Sequence, residues 1–185
     1  GIYKSTDGGR TFTNVGLRDS HHIDEIVTHP TDANIVYVAA QGHLWGYNRE
    51  RGTFRTTDGG GTWTKLTRGL PDDDRMGASD ITMDPSNPRV LYAGMWERIR
   101  KPFTFESGGP NGGIYKSTDG GDSWTKLTAG LPAGDIGKVV VDVYRKDPRM
   151  LIAFVEHGFQ PAQNSPDYRD MTKLGSGIYR SEDGG

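Results

Sequence analysis

Several carboxylic acids lie beside aromatic or basic residues, in stretches that interrupt the apolar pattern of the chain. Two carboxyl groups roughly 5 to 9.5 Å apart can cleave a glycosidic bond, acting as acid and base or as acid and nucleophile. The spacing of these acids along the sequence selects no pair, so the catalytic assignment stays open. The weak candidates are Asp80, Glu97, Glu106 and Glu156, with Asp19 as a further acid.

The same stretches carry aromatic, histidine and arginine side chains that could contact a ligand. Aromatic faces can stack on a ligand, and the arginine fork orients carboxylates. We therefore predict a groove for a peptide or a glycan, with ordinary loop packing as the alternative for any single residue. The predicted ligand-binding residues are His21, His22, His43, Trp45, Trp96, Arg98 and Arg100.

No metal site or cofactor is predicted. His21 and His22 are adjacent, and on a strand they would point to opposite faces and would not share one ion. A zinc site would need further ligands, which the sequence does not reveal. The chain has no cysteine, so disulfides and thiolate ligands are excluded.

Composition narrows the classes of function. The formal net charge is −2 with both signs scattered, and the one basic cluster, Arg98, Arg100 and Lys101, is too short for a nucleic-acid footprint. No apolar run reaches the length of a membrane span. With 27 glycines and only 33% apolar residues, the chain is typical of short strands joined by glycine turns.

One phrase recurs every ~50 to 65 residues and indicates the architecture. It reads Gly-Ile-Tyr-Lys-Ser-Thr-Asp-Gly-Gly or a close variant, and it begins at Gly1, Gly52, Gly113 and Gly177. Between copies, two apolar alternating stretches flank a proline turn. Each period therefore holds four strands, A to D, which is the pattern of a β-propeller blade.

The strand count predicts an all-β, partial propeller of antiparallel four-stranded blades. Residues 1–17 would supply strands C and D, 18–70 and 71–131 two complete blades, and 132–185 a blade lacking its last strand. A ring closes with at least about four blades, so the remaining blades of a longer chain are the expected partners.

The repeated phrase and the aromatic after it are expected to form the hairpin between strands C and D. Asp-Gly is a turn dipeptide, the hydroxyl joins the local hydrogen bonds, and the aromatic folds back into the blade. Because the aspartates recur in every blade, they cannot converge on one substrate, and a structural role is expected. The structural residues are Ser5, Asp7, Gly9, Phe12, Thr56, Asp58, Gly60, Trp63, Ser117, Asp119, Gly121, Trp124, Ser181 and Asp183.

Alternating strand direction predicts two different ends of the sheets. The A–B and C–D turns share one end, while the B–C insertions and the D–A links share the other, where binding residues are expected. The insertions span 43–51, 95–112 and 156–176. The links before strands A hold Asp19, His21, His22, Arg75 and Asp80.

The Ser-x-Asp-x-Gly-x-x-Trp phrase resembles the Asp-box (BNR) repeat family of β-propellers. Asp19-Ser-His-His-Ile, Gly42-His-Leu-Trp-Gly and Tyr92-Ala-Gly-Met-Trp-Glu-Arg narrow the resemblance to bacterial multi-blade proteins labelled sortilin-like (VPS10-like) or glycosyl hydrolase. It implies a module that binds a peptide, a glycan or a partner domain, in an extracytoplasmic setting. The alternative is a glycoside hydrolase, sialidase-like or otherwise exo-acting, whose active site is completed by further blades.

Overall fold

The computed structural model describes residues 1–157 and 176–185, and this part of the chain is almost entirely β. Its one helical element is a 3-10 turn at Arg18–Ser20. All strand pairs are antiparallel, so the predicted fold class is confirmed.

The first two sheets are formed by residues 1–65. Sheet 1 contains two short strands, β1 (Tyr3–Lys4) and β2 (Thr13–Asn14). Sheet 2 has four strands in sequence order, β3 (His22–Thr28), β4 (Val36–Gly42), β5 (Gly52–Thr56) and β6 (Thr64–Lys65).

Sheet 3 carries one strand more than predicted. Its strands are β7 (Met76–Met83), β8 (Leu91–Lys101), β9 (Thr104–Ser107), β10 (Gly113–Ser117) and β11 (Thr125–Lys126). We expected a loop over 95–112. Instead β8 runs on to Lys101 and pairs with β9, so the insertion is a hairpin.

Sheet 4 comprises β12 (Ile136–Val143), β13 (Leu151–His157) and β14 (Gly177–Ser181). Its strands pair in the order β12-β13-β14. Most of the insertion predicted at 156–176 lies outside the described residues.

The core lies between neighbouring sheets. Leu66 of sheet 2 packs in one cluster with Ile81 and Trp124 of sheet 3, and Ile114 of sheet 3 packs with Val141 of sheet 4. A third cluster joins sheets 1 and 2. Sheets 2 and 3 lie between two neighbours and bury side chains on both faces, so that Val38 of β4 belongs to the third cluster and Ala39 to the first. Sheet 4 buries alternate residues, as along β13.

The Asp-Gly turns form the same hydrogen-bond network in each hairpin. In the third copy, Asp119 accepts bonds from Ser123 N at 2.9 Å and Ser117 Oγ at 2.7 Å, while Gly121 N donates to Ser117 Oγ at 2.9 Å. Gly120 and Gly121 have φ of 78° and 90°, which glycine adopts without strain. The carboxylate is thus engaged in holding its own turn.

The aromatic that follows each turn packs on the preceding sheet, not into its own blade as we predicted. Trp124 is buried beside Leu66, and Trp63 Nε1 donates to Val15 O at 2.7 Å. Phe12, which follows the first of these turns, is 62% exposed. The aromatic is therefore a contact between sheets.

A basic residue on the third strand of the repeat joins each sheet to the next. Lys4 Nζ donates to Gly59 O at 3.0 Å, Arg55 Nη1 to Gly120 O at 2.8 Å and Lys116 Nζ to Gly184 O at 2.6 Å. Tyr37 Oη and Tyr92 Oη donate to the last two carbonyls, both at 2.8 Å. Each acceptor is the first glycine of an Asp-Gly turn.

The two ends of the sheets differ as predicted. The Asp-Gly turns of sheets 2, 3 and 4 contact the turn between the first two strands of their sheets, as in Gly120 N donating to Arg89 O at 2.8 Å. The insertions meet one another at the other end, where Arg100 N donates to Leu44 O at 3.3 Å. We call this second end the insertion end.

Candidate functional site

A polar cleft lies at the insertion end between sheets 3 and 4. Its volume is about 440 Å³. It brings together three of the four weak catalytic candidates, although they are far apart in sequence. The lining residues are Arg75, Glu97, Phe105, Glu106, Ser107, Gly108, Glu156 and His157.

Two of the three carboxylates are paired with cations. Glu97, on β8, forms an ion pair with Arg75, and a side chain at Gly109 would collide with its carboxylate. Glu106, on β9, pairs with Lys101 across the hairpin. The hydrogen bond from Lys101 lowers the pKa of Glu106. The hairpin that sequence analysis missed thus places one wall of the cleft.

The third carboxylate, Glu156, stands at the end of β13 and is held by uncharged donors. Lys138 N donates to Oε2 at 2.8 Å. Ser107 Oγ lies 3.1 and 3.0 Å from the two oxygens and itself accepts from Trp96 Nε1 at 3.0 Å. This chain of hydrogen bonds fixes the Glu156 carboxylate at the cleft wall.

Trp96, predicted to contact a ligand, offers no free face. It is 7% exposed, with the Arg98 guanidinium 5.2 Å and the Lys138 ammonium 5.7 Å from its ring centroid. β8 continues through Trp96 and turns the ring inward, so a ligand contact of this ring stays a prediction. Phe105 is the aromatic that reaches the cleft, and it is 44% exposed.

The two predicted arginines also contact the protein itself. Arg98 Nε and Nη2 are buried without a hydrogen-bond partner among the described residues, and burial lowers the pKa of this guanidinium. Arg100 stacks on Phe105 at 4.8 Å. Neither lines the cleft, so Arg75 is its one arginine among the residues described.

Asp80, the fourth catalytic candidate, lies outside the cleft and is 7% exposed. We placed it in a link, but β7 begins at Met76 and contains it. Its carboxylate accepts from Val141 N of sheet 4 at 2.6 Å. Burial raises the pKa of Asp80 to about 6. Its observed role is to join two sheets.

The three predicted histidines lie around sheet 2 and do not line the cleft. His43 Nε2 is 2.9 Å from Asp19 Oδ1, and its ring stacks on His21 at 3.8 Å. His22 is already in β3, with Nδ1 2.9 Å from Gly42 O. Trp45 is 54% exposed and pairs through its backbone with Arg100 of sheet 3.

Arg51 and Asn48 are buried residues of this region that sequence analysis did not single out. Arg51 is fully buried and donates to Asn48 Oδ1 and to four backbone carbonyls, including Arg75 O and Arg98 O. Burial lowers its pKa. Arg51 stands directly before Gly52 of the repeated phrase, a position that the other copies do not share, and this difference was the available signal.

A model of the Sortilin-Vps10 family, described as "Sortilin, neurotensin receptor 3", matches residues 1–158. The chain belongs to this family. Two curated relatives of this family member are a xyloglucanase of Paenibacillus sp., 28% identical over 173 residues, and xyloglucanase Xgh74A of Acetivibrio thermocellus, 28% identical over 179 residues. Each match covers 88% of the chain but only 15% and 19% of those relatives.

Solved structures show the same fold. An ancestral GH74 enzyme superimposes with a TM-score of 0.69 at 18% identity, covering 100% of this chain and 20% of that one. The GH74 xyloglucanase of Xanthomonas campestris gives 0.63 at 17% identity, with 100% and 26% covered. The chain is thus a run of propeller sheets within the Sortilin-Vps10 family. Within the described residues, no helix has the length and hydropathy to cross a membrane.

Proposed function

We propose that the cleft between sheets 3 and 4 binds a glycan, as part of a larger Asp-box propeller whose blades divide at 1–17, 18–70, 71–131 and 132–185. The observation that carries this proposal is the meeting of Glu97, Glu106 and Glu156 beside the half-exposed ring of Phe105. Carboxylates accept hydrogen bonds from sugar hydroxyls, and an aromatic face can pack on a sugar ring.

The names of the curated relatives support a particular glycan class. They are xyloglucanases, so we propose a xyloglucan-like β-glucan as the ligand. The cleft lies at the end of the sheets that carries the elaborated connections, which is where a rigid scaffold usually places its binding groups.

Glycoside hydrolysis is the second candidate, because three carboxylates share one cleft. Glu97 and Glu106 are paired with cations, which suits positioning of a sugar; Glu156, held by a hydroxyl and a backbone N–H, is the acid best placed for chemistry. A sialidase-like site is disfavoured, since Arg98 and Arg100 do not line the cleft and Arg75 alone is left to hold a substrate carboxylate.

Calorimetric titration of the full-length protein with xyloglucan oligosaccharides tests the binding proposal. Phe105→Ala should weaken binding at least about tenfold, since aromatic contacts contribute on the order of 1 kcal/mol beyond buried area. Phe103→Ala is the matched control, because Phe103 is 99% exposed and does not line the cleft. Equal affinities of the two variants would reject the site.

Release of reducing sugar separates binding from hydrolysis. If the cleft is catalytic, Glu156→Gln should abolish turnover of xyloglucan while the oligosaccharide still binds. Turnover by this variant at the unmodified rate would assign the chemistry elsewhere and leave the binding proposal to the Phe105 experiment.

A further inference from the structure

Three potential metal ligands from two separate segments meet beside sheet 2. Asp19 and His21 belong to the link before β3, and His43 follows β4. One carboxylate oxygen and one ring nitrogen from each histidine all lie within 4.8 Å of one another. The sequence alone did not reveal this group, because His43 lies 22 positions after His21.

The backbone of the link is strained where it presents His21. This residue has φ 57° and ψ −57°, and Leu17 at the start of the same link has φ 49°. Among the described residues these are the two positive φ values outside glycine. Such conformations cost on the order of 1 to 3 kcal/mol and persist where the surroundings impose them. This strained link places the His21 ring on that of His43. The ring centroids are 3.8 Å apart and the ring planes differ by 19°.

One buried side chain holds the other two ligands in place. Asn48 is 8% exposed; its Nδ2 donates to Asp19 O at 2.8 Å, and its Oδ1 accepts from His43 N at 2.9 Å. Glu50 adds a bond from Asp19 N to Oε2 at 2.7 Å. Supporting hydrogen bonds of this kind orient the ligands of metal sites.

We propose that Asp19, His21 and His43 bind a divalent transition-metal ion of the zinc class. Two imidazoles and one carboxylate suit Zn²⁺, Ni²⁺ or Cu²⁺, whereas Mg²⁺ and Ca²⁺ take oxygen ligands. Three protein ligands leave at least one coordination position for water or for a ligand group. The site stands independently of the glycan cleft, which shares none of its residues.

Binding requires the His21 ring to turn out of its stack on His43, because the nitrogen lone pairs of two near-parallel rings cannot point at one ion. His43 Nε2 and Asp19 Oδ1 are 2.9 Å apart and share a hydrogen bond that the metal would replace. Ligand atoms of a tetrahedral zinc site are about 3.4 Å apart, so separations in the cluster, which reach 4.8 Å, must shorten by up to about 1.4 Å. Asp19 and His21 are exposed and can move this far. His22 takes no part, since its ring bonds to Gly42 O.

Calorimetric titration of the metal-free, full-length protein with Zn²⁺ tests the site. We expect one equivalent to bind, and His43→Ala to weaken it at least tenfold. Asp19→Asn should do the same while keeping a side-chain oxygen beside His43. His29→Ala is the matched control, because His29 is a histidine on the opposite, Asp-Gly end of sheet 2.

Two further measurements distinguish loss of the metal site from loss of the fold. Co²⁺ bound to two imidazoles and a carboxylate should give a visible absorption band that His21→Ala removes, and circular dichroism verifies that each variant is folded. Zn²⁺ should raise the melting temperature of the unmodified protein and of His29→Ala. Zn²⁺ binding of the same strength in Asp19→Asn, His21→Ala and His43→Ala, or no binding by the unmodified protein, would overturn the proposal.

Discussion

Replacing Asp80 by asparagine should make the protein more stable at neutral pH. In the fold this carboxyl is buried between β7 and β12, and its pKa is raised from 3.8 to about 6. The folded state therefore binds a proton more tightly than the unfolded chain, and stability is lost as pH rises through about 6. A rise of this size corresponds to about 3 kcal/mol, taken as an upper bound. An amide at residue 80 cannot ionise but can still accept the bond from Val141 N.

Urea unfolding at several pH values between 4 and 8 measures the effect. The unmodified protein and Asp80→Asn should have nearly equal free energies of unfolding at pH 4, and the variant should be up to about 3 kcal/mol more stable at pH 8. Asp80→Ala should be about 1 to 3 kcal/mol less stable than Asp80→Asn, because Val141 N loses its acceptor. Asp135→Asn, at an exposed aspartate, is the control. If the curves of the unmodified protein and Asp80→Asn run parallel, the raised pKa is refuted.

Three other predictions concern the turns, the sheet contacts and the insertion end. Hydrogen bonds from Thr62 and Thr56 lower the pKa of Asp58 to about 2, so its carboxyl carbon should titrate by NMR near that pH, with stability lost as pH falls through it; a midpoint near 3.8 would contradict the network. Trp124→Ala should lower the free energy of unfolding by about 3 to 5 kcal/mol, and the exposed Phe12→Ala by less than about 1, as chemical denaturation will show. Arg51→Lys should cost at least about 2 kcal/mol because a single ammonium cannot replace five directed bonds, whereas Arg49→Lys, at an 83% exposed side chain, should change stability little.

The fold could be predicted from the sequence because the same four-strand pattern repeats along it. Short apolar stretches mark strands because the sheets bury their faces against neighbouring sheets, and the Asp-Gly dipeptides mark turns that need positive φ. The direction of the turn aromatic was not predictable in the same way. A side chain that leaves a hairpin can pack on its own sheet or on the adjacent one. The spacing between sheets decides which of the two it contacts, and in this fold Trp124 packs against Leu66 of the preceding sheet.

The sequence predicted several residues of the site but not their arrangement. Glu97, Glu106 and Glu156 were chosen for their type and location, but their meeting depends on the β8–β9 hairpin, which local propensity did not distinguish from a loop. Trp96 was expected in a loop, but β8 runs through it and turns its ring inward. Asn48 acts on His43 through backbone groups, and such contacts leave no pattern of residue types.

The bonds from Lys4, Arg55 and Lys116 to glycine carbonyls bear on how such arrays can evolve. Each donor bonds to a main-chain oxygen, which every residue type carries. The same acceptor is therefore present in any neighbouring sheet that keeps the Asp-Gly turn. Duplicated or exchanged units could therefore dock without matched changes on both sides of the joint, and sequence drift would be free to act on the insertions.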